Sequence, residues 1–465
     1  MPLLSTLSHV LKLSCNAKLP SHITSVPPFI TFIPTRVQSY ASSAHGKNPS
    51  SSPPRGPIDV SELPTSNANE REVSIQWDGV TRSKYHHVWL RDHCRCPECF
   101  HSITKQRLIN TFEIPPDLEP ISTRPTPDGL EVVWPASIGR PHVSTYPWSW
   151  LRGITYSPSI NRESAEKVLW GSKIAKDPPF VLYDEVVSSE YGVYKWLSKI
   201  DTLGFCFVSG LPPTPEATER LASRIGFIRE THYGKFWDFT SDLARSDMAY
   251  SNIALPAHTD TTYFTDPCGM QLFHLLEHTG GTGGVSLLVD GFYVASILRD
   301  LHPDAYRLLS TIPIPSHAAG ESGIMYRAAH TPLEHEHDDG ATGNGNGRNL
   351  RAVRWNNDDR SALRSVPYAD VPRLYEAMRV WDQLVTSQDS EYWVQLSPGS
   401  VLSIDNHRVL HGRSSFSGTR RMCGAYIGVD EFRSRLAVLS ERFAFPPVSD
   451  AMAEHGERSV WSPDL

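Results

Sequence analysis

The sequence predicts a mainly β protein with flanking helices, in which a large jelly roll or barrel follows a small β unit. Three observations predict this class. After residue 258, short apolar runs alternate with Gly, Pro and Asn, as in proteins built from many short strands. Before it, residues 70–151 contain strand-like stretches such as "EVSIQWDG" and "GLEVVW". A few other stretches, such as "YGVYKWLSKIDTLG" and "VPRLYEAMRVWDQLVTS", have the apolar spacing of helices.

The size and charge of the chain exclude several kinds of protein. At 465 residues, two domains with tails are expected. The formal net charge is −7, which argues against a nucleic-acid partner because phosphate binding requires a basic face. No apolar run approaches the roughly 18 residues that a membrane-spanning helix requires, so no membrane partner is expected.

Residues 1–60 are expected to lie outside the fold. The first 58 residues contain no Asp or Glu and are rich in Ser, Thr and Pro, with scattered Lys and Arg. This composition is typical of a mitochondrial transit peptide and predicts a location in the mitochondrial matrix. A disordered tail without a targeting role is the alternative.

Two folded units are predicted after this segment. A small β unit spans residues 70–151, and a larger unit spans residues 178–445. Within the larger unit, "HEHDDGATGNGNGRN" at residues 335–349 has too few apolar side chains to order itself, so we predict a flexible insertion between two strands. Its His335 and His337 offer the alternative of a histidine-rich metal-binding tract.

The stretch "AHTDTTYF" contains two candidate metal ligands, His258 and Asp260. On an extended segment, residues i and i+2 point to the same face, so both side chains can reach one ion. A distant second histidine would complete the 2-His-1-carboxylate triad of non-haem Fe(II) enzymes. "DNHRVLHGR" offers His407 and His411. We favour His411, because the glycine beside it lets backbone approach a ligand closely, and interpret His407 as a turn residue.

A dicarboxylate co-substrate such as 2-oxoglutarate would need a cationic partner for its far carboxylate, and arginine binds carboxylates bidentately. "SGTRRMCGAYIG" places Arg420 and Arg421 at the start of an apolar strand, where alternation lets only one of them point inward. Ser286, at the start of "SLLVD", offers a hydroxyl donor. Each of these residues alone would also fit a surface charge or a turn.

The stretch "HCRCPECF" contains a tight cysteine cluster, Cys94, Cys96 and Cys99, among seven cysteines in the chain. An odd count with such a cluster fits a metal in a reducing compartment better than disulfides. Thiolates at this spacing suit tetrahedral zinc, which needs a fourth ligand. His93 is adjacent but badly placed for the same ion, and free buried cysteines are the alternative.

Beyond these motifs, the chain resembles the γ-butyrobetaine hydroxylase / trimethyllysine dioxygenase family of Fe(II)- and 2-oxoglutarate-dependent oxygenases over most of residues 70–440. The stretches that carry the resemblance are "AHTDTTYF", "PCGMQLFHLLEH", "GGVSLLVDGF", "VRWN", "DNHRVLHGR" and "CGAY". "AHTDTTYF" and "LLVDGFY" are most similar to the trimethyllysine dioxygenase branch. The resemblance implies the family fold, a double-stranded β-helix (a jelly-roll variant) preceded by a small zinc-binding domain.

The resemblance also implies roles for the residues of the larger unit. It implies His258, Asp260 and His411 as the ligands of Fe(II). It implies Arg420 at the far carboxylate of 2-oxoglutarate, and Ser286 near the same co-substrate.

Two further residues are interpreted through the resemblance. His142, in "GRPHVSTYPW", matches a distant histidine of the family and is implied as the fourth ligand of a structural zinc ion. His407 departs from the family, in which Trp is common at this position. This departure affects the wall expected behind the iron and does not affect the expected ligand set.

For the substrate, the resemblance implies an aromatic cage formed by Tyr233, Trp237 and Tyr250. A trimethylammonium group has no hydrogen-bond donor and is bound by aromatic faces. Asp247 favours trimethyllysine over γ-butyrobetaine, because an aspartate pairs with an α-ammonium and repels a lone carboxylate. Asn356 is a candidate donor to the α-carboxylate. Core aromatics, a solvated acid and a turn asparagine are the alternatives.

The implied reaction is hydroxylation of N6,N6,N6-trimethyl-L-lysine at C3, the first step of carnitine biosynthesis. It consumes 2-oxoglutarate and O2, with L-ascorbate as a reductant, and relatives suggest a homodimer. Rival hypotheses are γ-butyrobetaine hydroxylation, a taurine-type oxygenase, and a metal-binding protein without catalysis.

Overall fold

The computed structural model describes residues 63–136, 140–158, 167–240, 251–320, 323–336 and 349–444. The predicted transit segment and most of the predicted insertion at 335–349 lie outside these residues. None of the helices within the described ranges has the length and hydrophobicity that crossing a bilayer requires.

The small N-terminal unit consists of short strands around its own apolar core. Its strands are β1 (Thr65–Ala68), β2 (Glu72–Gln76), β3 (Arg82–His86), β4 (Phe100–His101), β5 (Gln106–Arg107), β6 (Ser122–Thr126), β7 (Gly129–Trp134) and β8 (His142–Tyr146), and its helices are α1 (His87–Asp92) and α2 (Trp148–Gly153). The order β1-β2-β3 forms one sheet and β6-β7-β8 another, with β4-β5 as a hairpin. The first strand thus begins before the expected start near residue 70.

Two buried tyrosines connect the sheets of this unit to its helices. Tyr85 donates its hydroxyl to Leu151 O at 2.6 Å, and Tyr146 donates to Leu90 O at 2.5 Å. Both hydroxyls are therefore satisfied inside the core, where an unpaired one would be costly.

The larger unit contains most of the strands and the longer helices. Its strands are β9 (Phe180–Leu182), β10 (Phe205–Ser209), β11 (Trp237–Thr240), β12 (Leu255–His258), β13 (Met270–Thr279), β14 (Ser286–Asp290), β15 (Ile314–Ala318), β16 (Tyr326–His330), β17 (Leu333–His335), β18 (Leu350–Val353), β19 (Tyr392–Val394), β20 (Ser400–Asp405), β21 (Val409–Arg413) and β22 (Thr419–Ile427). Its helices are α3 (Tyr183–Ser188), α4 (Glu190–Leu203), α5 (Pro215–Ala222), α6 (Gly291–Leu301), α7 (Pro303–Thr311), α8 (Val371–Val385) and α9 (Val429–Phe443).

Two sheets of the larger unit pack face to face. One has the order β11-β22-β13-β20-β10-β9 and the other β12-β21-β14-β19. Side chains from both sheets share one buried cluster, which includes Phe205 and Leu402 from the first sheet and Leu288 and Val409 from the second. This arrangement confirms the predicted mainly β class with flanking helices.

The flanking helices cover the outer faces of the two sheets. Helices α4, α5 and α9 pack on the six-stranded sheet, and α6, α7 and α8 pack on the four-stranded sheet. Helix α4 follows the predicted stretch and has defined ends. Ser189 accepts a hydrogen bond from the N–H of Gly192 at its start, and Gly204 ends it in a left-handed conformation with φ 81°.

A buried ion pair supports the turn that leads into β21. Arg408 and Asp290 are 1% and 0% exposed, and the guanidinium binds the carboxylate through Nε at 3.0 Å and Nη2 at 2.7 Å. Arg408 also donates to Thr202 O and Val168 O, so its charge is fully paired. These contacts connect the start of α6 to the strand that carries His411.

Candidate active site

Three of the predicted ligand side chains meet where β12 pairs with β21. The antiparallel register of these strands places His258 opposite His411. Nε2 of His258 lies 3.2 Å from Oδ1 of Asp260, and Nε2 of His411 lies 3.8 Å from Oδ2. One ligand atom from each side chain lies within 4.8 Å of the other two.

Asp260 reaches this position from a turn, and not from an extended strand as we expected. Strand β12 ends at His258, and Thr261 adopts a left-handed conformation with φ 59°, which is uncommon for a β-branched residue. Asn406, fully buried, accepts from Asp260 N–H at 2.8 Å and donates to Asp260 O and Cys268 O. Asn406 thus holds both ends of the turn.

Two side chains from the six-stranded sheet fix the Asp260 carboxylate. Gln271 Nε2 donates to Oδ2 at 2.7 Å, and Tyr426 donates its hydroxyl to the same oxygen at 2.8 Å. These bonds leave Oδ1, which is closest to His258, as the oxygen available to a metal ion. His258 Nδ1 lies 2.8 Å from Pro256 O, a contact that places a proton on Nδ1 and leaves Nε2 as the ligand atom.

The buried charges of the triad depend on one another. Burial opposes a charged His258, but the hydrogen bond and charge of Asp260 outweigh it and raise the pKa of His258 to about 8. Burial also opposes the ionisation of Asp260, yet His258 and His411 lower the pKa of its carboxyl below the usual value. Burial, together with the charge of His258, lowers the pKa of His411 to about 3. Asp260 is therefore ionised, as a metal ligand must be.

The donor set fits a divalent iron ion better than its alternatives. Two imidazoles and one carboxylate on adjacent positions match the facial triad that binds Fe(II) and leaves positions open. His407 is not in this group: it is buried beneath the turn, with Nε2 3.3 Å from Pro267 O. Gly412 has a different role from the one expected, since a Cβ there would lie 2.6 Å from Leu255 O. The glycine lets β12 approach β21.

The triad lines a cavity of about 530 Å³. Its wall contains residues from both sheets, from the β15-β16 hairpin and from the loop after β18. The predicted Arg420, Ser286, Tyr233, Trp237 and Asn356 all line this cavity with the three ligands. A cavity of this size accommodates small-molecule ligands next to the metal site.

Two arginines form a cationic end of the cavity. Arg420 is 5% exposed, and its Nε is buried without a hydrogen-bond partner among the described residues. Arg413 lies near it, and the ring of Phe416 lies 4.8 Å from the Arg413 guanidinium carbon and 5.5 Å from that of Arg420. Burial lowers the pKa of both arginines to about 10, so both stay charged. Ser286 pairs with Arg413 in the β14-β21 register.

The neighbouring Arg421 has the opposite orientation. It is exposed and pairs with Asp238 of β11, with Nε 2.9 Å from Oδ1. Strand alternation therefore places Arg420 in the cavity and Arg421 outside it. A buried cationic donor that lines the same cavity as the triad fits the far carboxylate of a 2-oxoacid.

Aromatic rings form another part of the wall. The Tyr233 ring lies against His232 with centroids 3.9 Å apart and the ring planes tilted by 38°, and its hydroxyl lies 3.2 Å from that of Tyr263. Trp237 lies on β11 opposite Gly424, where a Cβ would lie 2.3 Å from the indole ring. A Cβ at Gly424 would also lie 1.9 Å from Leu272 O, so glycine at this position lets both β13 and the indole ring approach β22. The predicted Tyr250 and Asp247 lie outside the described residues.

Asn356 lines the cavity but is already engaged. Its Nδ2 donates to Asp359 Oδ2 at 2.7 Å, and its Oδ1 accepts from the N–H groups of Asp358 and Asp359. This is an Asx-type turn. The structure therefore shows Asn356 orienting Asp359 through one N–H of its amide, and its role as a donor to a substrate carboxylate stays a prediction.

Sequence reasoning missed several residues of the site. Gln271 and Tyr426 lie in "GMQLFHLLEH" and "CGAYIG", which we interpreted only as strands. Asn406 and Arg413 flank the histidines of "DNHRVLHGR", and we predicted no role for either residue. A buried-strand pattern interrupted by one amide or one phenol is the signal that would have found the first two.

The predicted zinc ligands form a separate cluster in the N-terminal unit. His142 Nε2 lies 3.4 Å from Cys94 Sγ, 3.7 Å from Cys96 Sγ and 3.5 Å from Cys99 Sγ. Tetrahedral zinc with bonds of about 2.3 Å to sulfur and 2.0 Å to nitrogen separates such atoms by roughly 3.5 Å. The four donors therefore fit zinc. His93 bonds instead to Trp89 O at 2.8 Å.

Two groups surround this cluster. Arg91 Nη1 donates to Cys99 Sγ at 3.2 Å, and Glu98 Oε2 lies 3.6 Å from His142 Nδ1. The hydrogen bond between Cys94 and Cys99 lowers the pKa of Cys99 to about 5, with help from Arg91, and raises the pKa of Cys94. The contacts of Arg91 and Glu98 orient the ligands of the cluster.

Two family models match this chain. Residues 65–152 match the family model described as gamma-butyrobetaine hydroxylase-like, N-terminal. Residues 173–426 match that of the taurine catabolism dioxygenase TauD, TfdA family.

Curated relatives align with this chain over most of its length and most of their own. The trimethyllysine dioxygenase of Neurospora crassa is 43% identical over 77% of this chain and 81% of its own length. The mitochondrial trimethyllysine dioxygenase of Homo sapiens is 39% identical over 76% of this chain and 82% of its own. The gamma-butyrobetaine dioxygenase of Homo sapiens is 29% identical over 80% and 95%. This chain therefore belongs to the TauD, TfdA family and, within it, to the trimethyllysine dioxygenases, which makes it a 2-oxoglutarate-dependent oxidoreductase.

Proposed function

We propose that this protein hydroxylates N6,N6,N6-trimethyl-L-lysine at C3, with Fe(II), 2-oxoglutarate and O2. The observation that carries the proposal is the cavity itself. It brings together an open three-ligand metal site, two buried arginines and an aromatic wall. The higher identity to trimethyllysine dioxygenases than to gamma-butyrobetaine dioxygenase supports the choice of substrate.

His258, Asp260 and His411 are proposed to hold Fe(II). Bound iron with 2-oxoglutarate and O2 supplies the oxidation, in which a C–H bond becomes C–OH while 2-oxoglutarate becomes succinate and CO2. The chain contributes ligand geometry. Gln271 and Tyr426 hold Oδ2 of Asp260, so the carboxylate would hold the iron ion through Oδ1.

Arg420 is proposed to bind the far carboxylate of 2-oxoglutarate, with Ser286 beside it. The guanidinium is charged and buried, and its Nε has no hydrogen-bond partner within the part of the chain that the structure describes, so an incoming carboxylate would supply one. Arg413 and Arg420 both contact the ring of Phe416. Arg413 also donates to Ser251 O and Ile253 O, so it supports the wall of the cavity.

The aromatic wall is proposed to bind the trimethylammonium group. Tyr233 and Trp237 line the cavity, and Tyr250 is proposed to complete the cage from outside the described residues. Each ring face contributes about 0.5–2 kcal/mol, depending on desolvation. The cage would set how deep the substrate enters, and thereby which carbon faces the metal.

Asp247 is proposed to pair with the substrate's α-ammonium.

The cluster of Cys94, Cys96, Cys99 and His142 is proposed to hold a structural zinc ion, since four donors leave no open position. The protein is proposed to act as a homodimer in the mitochondrial matrix, with ascorbate as the reductant. The hydroxylated product is proposed to enter carnitine biosynthesis. Light scattering and fractionation test the assembly and the location.

The experiment that tests the function is a comparison of two amines. Purified protein receives Fe(II), 2-oxoglutarate and ascorbate, with either trimethyllysine or γ-butyrobetaine, and mass spectrometry follows succinate and the hydroxylated product. We expect one succinate per hydroxylated trimethyllysine and little product from γ-butyrobetaine. NMR of the product locates the hydroxyl at C3.

Two results would overturn the proposal in different ways. Hydroxylation of γ-butyrobetaine without hydroxylation of trimethyllysine would assign the rival substrate. Absence of succinate with every amine, from protein that holds iron, would favour a metal-binding protein without catalysis.

A further inference from the structure

A second, much smaller cavity lies beside the active site. Its volume is about 10 Å³, close to the least that holds one water-sized guest. Its walls come from the turn after β12, from strand β15 and from the loop after β18, with His330 at the end of β16. Asn356 lines both this cavity and the cavity of the metal triad, so the two share a wall.

Three side chains on the wall of the small cavity have buried polar atoms without hydrogen bonds. Arg354 is 7% exposed, and its Nε and Nη1 have no hydrogen-bond partner among the residues that the structure describes. Over the same ranges, Oγ1 of the buried Thr262 and Nε of Arg360 also lack one. Unpaired donors inside a protein are costly, above all charged ones, so a guest that accepts hydrogen bonds is expected here.

The carboxylate beside Arg354 is shared among several groups. Glu334 Oε2 lies 3.4 Å from Arg354 Nε, outside hydrogen-bond geometry, and 3.1 Å from Arg351 Nη2. Its Oε1 lies 2.9 Å from Nδ1 of His330. Arg360 brings a further positive charge, and none of the described residues that line the cavity is acidic. The wall of this cavity is therefore cationic.

The chemistry of the donors identifies the guest. Guanidinium nitrogens can only donate hydrogen bonds, and a threonine hydroxyl can donate one. An anion accepts from all of them, whereas a water molecule would need acceptors for its own hydrogens. The volume fits a single atom and excludes polyatomic anions such as sulfate and acetate. We propose that the small cavity binds one chloride ion through Arg354, Arg360 and Thr262.

A chloride ion at this position would strengthen the turn that carries Asp260. Thr262 lies on that turn, and Arg354 lies just after β18. The two segments are already joined by main-chain contacts, since Thr259 N–H donates to Trp355 O at 2.7 Å and Trp355 N–H donates to Thr259 Oγ1 at 3.0 Å. The ion would add a connection between them. This inference does not depend on which substrate the enzyme hydroxylates.

The direct test is anomalous diffraction from crystals of the full-length protein grown in sodium bromide instead of sodium chloride. Bromide replaces chloride at sites of this kind and is identified by its anomalous signal. We expect a bromide peak within contact distance of the Arg354 guanidinium and the Thr262 hydroxyl. A water molecule at this position, without anomalous signal, would overturn the inference.

The second test measures the melting temperature of the same protein in chloride, bromide and acetate at equal ionic strength. Chloride and bromide at about 0.2 M should raise it by about 2–4 °C relative to acetate, for a Kd about tenfold below the salt concentration. In Arg354→Met and Thr262→Val the difference should fall below about 1 °C, because the variants lack donors to the ion. Thr262→Val keeps every charge, so it serves as the test where Arg354→Met fails to fold.

Arg351→Met is the matched control. Arg351 pairs with the same Glu334 but does not line the cavity, so its loss should leave the chloride effect at the wild-type size. Equal loss of the effect in this control would show a general response to charge and overturn the inference. A wild type equally stable in chloride and acetate would also overturn it, and bromide seen only in the crystal would then be an adventitious ion only. Hydroxylation of trimethyllysine is assayed separately, so neither failure implies the other.

Discussion

The two clusters of metal-ligating side chains differ in how many donors they bring together and in what lies beside them. The N-terminal cluster has three sulfur atoms and one nitrogen. Cys94 and Cys99 are buried, and Cys96 and His142 are partly buried. The second cluster has two imidazoles and one carboxylate, with a cavity of about 530 Å³ on its open side. Four donors close the shell of a zinc ion, whereas three leave room for ligands that react.

The clusters also differ in how the chain holds them. Cys94, Cys96 and Cys99 lie on one short loop, so a single local segment supplies three donors. The second cluster depends on the register of β12 and β21 and on a turn tied down by Asn406. We therefore expect the first cluster to depend on a bound metal ion for stability and the second to depend on the surrounding sheets for its geometry.

Asp260→Ala should cause the largest loss of activity. The variant lacks one of three donors, so it should fail to retain iron, and product formation should fall by more than about 1,000-fold. Zinc content should stay near wild type, since Asp260 does not belong to the cysteine cluster. Metal analysis and product assays check both statements. Iron retention with wild-type turnover would contradict the proposed ligand.

Cys96→Ser should have the opposite pattern. We expect loss of zinc and a decrease of about 4 kcal/mol in the free energy of unfolding of the N-terminal unit, as for other losses of a structural metal. The fraction that stays folded should still bind iron and turn over near the wild-type rate. Denaturant titration and zinc analysis are the measurements. A variant with unchanged stability would show that the cysteines do not hold a structural ion.

Arg420→Met should weaken the co-substrate specifically. Loss of charge-assisted hydrogen bonds to the far carboxylate should raise the KM for 2-oxoglutarate about 100-fold, at about 1.5–3 kcal/mol per bond. Arg421→Met is the matched control, because Arg421 is exposed and pairs with Asp238. The control should change this KM by no more than about threefold. Equal effects in both variants would refute the assignment.

The sequence was sufficient for what depends on local spacing. The cysteine cluster and the pairing of His258 with Asp260 follow from neighbouring residues, although Asp260 lies on a turn and not on the extended strand that we expected. Alternation indicated that one of Arg420 and Arg421 points inward, and the family resemblance selected Arg420. The short apolar runs also predicted the strands of both sheets. Each of these features is encoded within a few residues, so no long-range contact is needed to recognise it.

Other parts of the site depend on contacts between distant segments. Gln271 and Tyr426 come from different strands and meet Asp260 only when β13 pairs with β22. Asn356 is a plausible substrate donor by composition, but its bond to Asp359 depends on the turn that it forms. Such roles follow from tertiary hydrogen bonding, which sequence patterns do not record.

Gln271→Ala should have the smallest of these effects. Asp260 Oδ2 would keep the bond from Tyr426 and lose the one from Gln271, so its orientation would loosen. Iron affinity should fall about tenfold, as for other residues that orient metal ligands. Zinc content serves as the internal control. Iron titration checks the result, and an unchanged affinity would show that Tyr426 alone orients the carboxylate.

The most direct test of the two-site account is X-ray absorption spectroscopy of the metal-loaded protein at the iron and zinc edges. At the zinc edge we expect three sulfur neighbours at about 2.3 Å and one nitrogen neighbour. At the iron edge we expect nitrogen and oxygen neighbours alone, changing when 2-oxoglutarate is added. Sulfur bound to iron, or an iron environment that does not respond to 2-oxoglutarate, would contradict the account.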